Sequence, residues 1–122
     1  MRPPVKIVVQ TIRDVTVATI AEASIIETHQ VDSVKDTLFP LIDQQHRTRL
    51  ILDMSKVKYL SSSAIGVLVP LQDKYKRAKG TLILVGVTPE IKKLFSITGL
   101  TKLFKFADTE ADALNSLGVK IP

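Results

Sequence analysis

Leu50-Ile51-Leu52 is a run of consecutive apolar residues that ends at once on Asp53. A strand with one wet face alternates apolar and polar side chains, so an unbroken run reads as a strand covered on both faces and ending at a polar edge. This is the expected central strand of a sheet, and the residues after it supply covering helices. Ala64, Leu68, Leu71, Tyr75 and Ala78 recur at alternating steps of four and three, the stripe of an amphipathic helix that Gly80 would end. Residues 81–87 make another buried strand. Thr88 then offers an N-cap, Pro89 the favoured first helical residue and Gly99 a stop, with Ile91, Leu94 and Phe95 facing inward.

The flanking segments extend the pattern. Residues 5–10 and 15–20 read as two strands joined by a turn at Arg13-Asp14, and residues 21–30 as a loop. Asp32 or Ser33 can cap a helix through Val34, Leu38, Leu41 and Ile42, bent at Pro40 and ending near Gln45. Residues 103–106 form a last strand, and Thr109-Glu110-Ala111-Asp112 resembles a capping box opening a final helix through Ala111, Leu114 and Leu117. The expected fold class is α/β: one domain over residues 1–122, a mixed sheet of about five strands with about four helices, in the order ββαβαβαβα. A chain of 122 residues buries enough surface to fold without staples.

Composition removes several classes of chemistry. The chain has no Cys, so disulfide frameworks, thiolate nucleophiles and cysteine zinc sites are out, and an intracellular setting is the simplest reading. His29 and His46 are its only histidines, and no Gly-x-Ser-x-Gly elbow surrounds Ser62, which argues against a hydrolase and against a metal centre. No glycine-rich phosphate loop is present, and no cofactor is expected. Asp53 at a strand end invites comparison with receiver domains, but Gln10 and Thr11 stand where those need an acidic pair, so Asp53 is read as capping the next loop. Met1-Arg2-Pro3-Pro4 carries no apolar signal region and the uncharged stretch 59–72 is too short and polar to span a bilayer, so a soluble, cytoplasmic protein is expected. The net charge of +5 is uneven: residues 1–73 hold eight basic and eight acidic side chains, residues 74–122 nine and four. With aromatics at only 5% and the Lys residues spread along helix faces, this reads as a solvated surface rather than a nucleic-acid site.

The most unusual local feature is Leu60-Ser61-Ser62-Ser63-Ala64-Ile65-Gly66, three hydroxyls at the start of the central amphipathic helix. At a helix N-terminus the first N–H groups lack intrahelical partners and the macrodipole is positive, so a serine there can cap the helix and a phosphate can be held by the same groups. On the residues alone, capping and modification both stand. Pro70 in the same helix removes the bond to the Gly66 carbonyl, and the bare Gly66 is expected to ease crowding against its ring.

The run Leu50-Ile51-Leu52-Asp53-Met54-Ser55-Lys56-Val57-Lys58-Tyr59-Leu60-Ser61-Ser62-Ser63-Ala64-Ile65-Gly66-Val67-Leu68 resembles the core of the STAS domain, as found in bacterial anti-sigma factor antagonists. Gly80-Thr81-Leu82-Ile83-Leu84-Val85, Pro89-Glu90-Ile91-Lys92-Lys93-Leu94-Phe95, Ile97-Thr98-Gly99-Leu100 and Lys102-Leu103-Phe104 continue the resemblance in order and spacing. It implies a non-enzymatic regulator that works by partner switching. In that family a serine after the central strand, here Ser62, is phosphorylated by a kinase that doubles as the anti-sigma factor. The unmodified form binds that partner, and a phosphatase restores it. Sporulation-type members commonly carry Asp before that serine and Gly after Ser63's position, where this chain has Ser61 and Ala64, so Ser61 and Ser63 stay open as alternative acceptors. The implied partner footprint is Ser61, Ser62, Ser63, Ile65, Gly66 and Leu68, extended by Lys or Arg of the same helix. The resemblance also admits a second role, a STAS adaptor subunit of a lipid transporter or stress-signalling complex whose serine is not modified. A monomer or weak homodimer is expected, with no direct contact to nucleic acid and no membrane insertion.

Overall fold

A computed structural model describes residues 4–119; Met1, Arg2 and Pro3, part of the stretch read as lacking a signal region, lie outside the described residues. Strands β1 (Ile7–Ile12) and β2 (Val15–Ile20) form an antiparallel hairpin, turned at Arg13 with φ 56°. The short strand β3 (Ser24–Ile25) leads into helix α1 (Thr28–Asp43), followed by β4 (Arg49–Asp53) and the short β5 (Tyr59–Leu60). Helix α2 (Ser62–Arg77), β6 (Thr81–Val85), α3 (Pro89–Ile97), a 3₁₀ turn (Thr101–Leu103), β7 (Lys105–Ala107) and α4 (Glu110–Ser116) complete the order. Five strands form one mixed sheet, β1-β2-β4-β6-β7, in which only β1 and β2 are antiparallel. β4 is its middle strand, as its continuous apolar run predicts.

Both faces of β4 are indeed covered, because successive side chains point to opposite sides. Leu50 and Leu52 join Ala18, Ile20, Leu82 and Leu84 in the larger core beneath α1, α2 and α3. Ile51 joins Val15, Val17, Ile83 and Val85 against Ala113 and Leu114 of α4. Each such Leu, Ile or Val contributes roughly 1.5–3 kcal/mol when fully buried. One alternation thus serves two cores, and it explains why 50–52 and 82–85 read as unbroken apolar runs.

Several boundaries differ from expectation for identifiable reasons. Helix α1 starts earlier: Glu27 is its N-cap, while the Gln30 Oε1 accepts from the Ile26 and Glu27 N–H groups at 3.0 and 3.1 Å. Ser33, expected as a cap, instead accepts from the Val5 N–H at 2.8 Å. The segment 21–30, expected to be loop, contains β3, which pairs in parallel with β5 as a separate two-stranded sheet. At the end of α2, Ala78 is an exposed C-cap rather than part of the apolar stripe, and Lys79 takes the left-handed turn at φ 58°. Gly80 is required by proximity: a Cβ there would sit 2.3 Å from the Thr48 carbonyl oxygen. The last strand shifts to Lys105–Ala107 because residues 101–103 wind into the 3₁₀ turn. Strand β6 stops at Val85, and Gly86 follows at φ 68° with no room for a Cβ beside Ser55.

Candidate functional site

The start of α2 is set by the residues that precede it. Met54 and Val57 are fully buried and anchor the loop leaving β4. The Met54 N–H donates to the Val85 carbonyl at 2.8 Å, and the Asp53 Oδ1 accepts from the Ser55 N–H at 2.9 Å, the loop-capping role expected of it. β5 is then held against β3: the Lys58 and Tyr59 N–H groups both donate to the Ala23 carbonyl, and the Ser61 N–H donates to that of Ile25 at 3.0 Å. This delivers Ser61 in extended conformation, φ −78° and ψ 162°, to the N-cap position.

Ser61 is the cap. Its Oγ accepts from the Ala64 N–H at 3.1 Å, which satisfies one of the orphan donors of the first turn, while its carbonyl accepts the first regular helical bond, from the Ile65 N–H. Ser62 and Ser63 follow as the first two helical residues. Both are exposed, and neither their hydroxyls nor their N–H groups have a protein partner among the described residues. No acidic side chain lies in the first turn, so the positive end of the helix macrodipole faces solvent uncompensated. A phosphate ester on the Ser62 Oγ would stand beside two open N–H donors.

The structure divides the expected footprint. Ser61 is half-buried and Ser62, Ser63 and Gly66 are exposed on one surface, but Ile65 and Leu68 are each only 2% exposed and pack into the larger core. They support the helix from below and offer no surface to a partner. The basic residues of α2 are also displaced from the site: Lys74, Lys76 and Arg77 lie in its last turn, roughly 18–22 Å along the axis from Ser62 at 1.5 Å per residue. Lys74 pairs with Asp43 and Arg77 with Asp73. Gly66 does not relieve Pro70, since a Cβ at 66 meets nothing within 4 Å. The bare glycine instead leaves a flat, exposed step one turn beyond Ser62.

Two exposed apolar residues stand near the serines without any sequence signal. Tyr59 is 63% exposed and Ile26 55%, unusual for large apolar side chains. Both belong to the small β3–β5 unit: Tyr59 pairs with Ser24, and Ile26 directly follows Ile25, whose carbonyl holds Ser61. Lys56 and Lys58 are exposed in the same loop. The surface leading to Ser62 thus combines apolar area with positive charge. Nothing in the periodicity announced this, because two-residue strands carry none.

Elsewhere, the His29 Nδ1 lies 3.3 Å from the Glu27 Oε2, and among the described residues no group of three His, Asp or Glu side chains is arranged to hold a metal. No helix among them is long and apolar enough to cross a membrane.

Comparison with known proteins agrees with this architecture. The anti-sigma F factor antagonist of Paenibacillus polymyxa is 24% identical over 91 residues, covering 75% of this chain and 78% of the relative. The structure of the Bacillus cell fate determinant SpoIIAA in its phosphorylated form superposes with a TM-score of 0.71 at 20% identity, covering 92% of this chain and 99% of that one. The fold also recurs inside a larger protein: the murine Slc26a9 anion transporter matches with a TM-score of 0.75 at 19% identity, covering 89% of this chain but 18% of the transporter. The STAS domain model matches residues 6–113, nearly the whole described chain, and the protein belongs to the STAS domain family.

Proposed function

We propose that this chain is an anti-sigma factor antagonist, a cytoplasmic regulator rather than an enzyme, that acts by partner switching with Ser62 as the phosphoacceptor. The observation that carries the reading is the division of labour at the start of α2. Ser61 alone performs the capping, so the Ser62 hydroxyl is exposed and uncommitted at the positive end of the helix. The partner surface in this reading comprises Ser61, Ser62, Ser63 and Gly66 together with Tyr59 and Ile26, and the partner is an anti-sigma factor that is also a serine kinase. Phosphorylation adds roughly −1.5 to −2 charges where a partner packs, so repulsion and desolvation separate the pair without refolding the domain. The two open N–H groups stabilise the modified form. A phosphatase resets the switch.

The test is incubation with ATP and the candidate kinase, followed by mass spectrometry and binding measurements. Phosphate is expected on Ser62; Ser62→Ala should bind the partner and lose regulation, while Ser62→Asp should weaken binding at least about tenfold, 1.4 kcal/mol. Phosphate confined to Ser61 or Ser63, or wild-type binding by Ser62→Asp, would sink the assignment. The recurrence of the fold within a transporter favours one second reading, an adaptor domain whose serine stays unmodified. Co-purification with an ATP-binding transporter subunit, with no kinase acting on Ser62, would support that role.

A further inference from the structure

Strands β2, β4, β6 and β7 are parallel, so the sheet has one end where they start and one where they finish. Ser62 stands beyond the finishing end, after β4 and β5. The starting end gathers the β1–β2 turn and residues 43–49, 73–81 and 97–105. Direct bonds tie these segments together: Arg49 to Asp14 at 2.9 Å, Lys74 to Asp43 at 3.0 Å, the Thr81 N–H to the Thr48 carbonyl, and the Gln72 Nε2 to the Leu103 carbonyl at 3.0 Å.

Charge is separated between the two ends. The starting end holds nine Lys or Arg against three acids, whereas residues 4–6, 21–27, 53–61, 86–90 and 108–112 at the finishing end hold three Lys against seven acids. All three acids of the starting end are taken, Asp14 by Arg49, Asp43 by Lys74 and Asp73 by Arg77. Arg13, Lys76, Lys79, Lys102 and Lys105 are exposed there with no acidic partner among the described residues. Helices α1, α2 and α3 also end here, but three C-termini at about −0.5 each bring roughly −1.5, which leaves most of the positive excess of six unbalanced. Two large apolar side chains are bare at the same end, Ile97 at 73% and Leu103 at 37% exposed. They belong to a stretch, residues 91–107, that has four Lys and no acid.

We infer that the starting end of the sheet docks on an anionic membrane surface, its basic side chains on lipid phosphates and Ile97 and Leu103 at the headgroup boundary. Positive charge with bare aliphatic side chains among it is the pattern of interfacial binding, in which electrostatic attraction and apolar burial add. The shape agrees, since five strands at about 4.8 Å apiece make this end a face roughly 20 Å across rather than a groove. Nucleic acid would use the charge but leave Ile97 and Leu103 in water, and Tyr59, an exposed ring on which a base could stack, lies at the opposite end. A domain docked this way turns Ser62 away from the lipid, roughly 16 Å off by the five residues of β4 at 3.3 Å each. No residue of the basic face belongs to the Ser62 surface, so either reading can fail without the other.

The test is flotation of the full chain with vesicles of phosphatidylcholine alone and of phosphatidylcholine with about one-third phosphatidylglycerol. Binding is expected to the anionic vesicles only, and it should fade as salt rises. Each Lys or Arg near the surface contributes about fivefold, so Lys76→Gln, Lys102→Gln and Lys105→Gln combined should weaken binding on the order of a hundredfold. Lys6→Gln, Lys56→Gln and Lys58→Gln remove the same charge from the other end, beyond a Debye length from the lipid, and should change binding less than about threefold. Because the chain has no Trp, Ile97→Trp introduces a lone indole whose emission should shift to the blue on anionic vesicles, while that of Tyr59→Trp should not. No flotation with anionic vesicles, equal losses in the two triple variants, or an Ile97→Trp emission that lipid leaves unchanged would overturn the inference. Tighter binding to duplex DNA than to the vesicles, indifferent to Ile97→Ser, would overturn it too and assign the face to nucleic acid.

Discussion

Helices α2 and α3 both follow the C-terminal ends of neighbouring parallel strands, β4 and β6, and are capped in the same way, yet their first turns differ. Ser61 and Thr88 are both extended, and each side-chain oxygen accepts from the N–H three residues on, Ala64 at 3.1 Å and Ile91 at 3.3 Å. After the cap, α3 continues with Pro89, which has no N–H to satisfy, and Glu90, whose carboxylate complements the dipole. α2 continues with two exposed serines and no acid. The α3 start is closed by its own sequence. The α2 start leaves donors and positive potential for something that arrives later, which capping alone does not explain.

The two helix starts should differ, or match, at descending scales of energy. If the two starts are equivalent underneath, truncating their buried anchors, Ile65→Ala and Ile91→Ala, should each cost about 2–5 kcal/mol in chemical denaturation. A small loss at Ile65 would mean that it is free to serve a partner after all. The caps come next: Ser61→Ala and Thr88→Ala should each cost about 1 kcal/mol, whereas Ser62→Ala should stay within about 0.5 kcal/mol. Equal losses at Ser61 and Ser62 would erase the division of labour between them. Gly66→Ala should gain about 0.5–1 kcal/mol, since the added methyl meets no neighbour and the helix loses a flexible residue. A loss in melting temperature there would show that Pro70 does crowd this turn. The smallest effect isolates the dipole: Ser62→Asp should add about 0.3–1 kcal/mol at low salt and fade as salt rises, while Glu90→Gln should remove a similar amount from α3.

The layout of the sheet was largely readable because its strands and helices carry period. Strand β2 falls on residues 15–20 as expected, and Thr88, Pro89 and Gly99 bracket α3 through local backbone chemistry that tertiary packing has no reason to change. The elements without a sequence signal lack period. β3 and β5 are two residues each and exist only by pairing with each other across the chain. The α1 start lies earlier than the expected cap at Asp32 or Ser33 because Glu27 is a less usual cap and its reinforcement comes from the Gln30 side chain, not from a hydroxyl. At the site, the serine cluster was legible but its roles were not: which serine caps is decided by where β5 releases the chain. Leu68 lies on the apolar stripe that continues through Leu71 and Tyr75, and that spacing already argued for burial over exposure. Tyr59 and Ile26 carry no sequence signal of exposure, since only the folded surface distinguishes them from core residues.

Gln30 ties these parts together. Besides receiving the Ile26 and Glu27 N–H groups on Oε1, it donates through Nε2 to the Ser24 carbonyl at 2.9 Å. Ser24 is registered with Tyr59, and the Ile25 carbonyl receives the N–H of Ser61. The first turn of α1 and the first turn of α2, distant in the chain, therefore share one clasp. In amide hydrogen exchange these N–H groups would open as a single cooperative unit with a common opening free energy. An event that tightens or loosens the start of α2 would register as changed deuterium uptake in α1, on residues that never touch the modified serine.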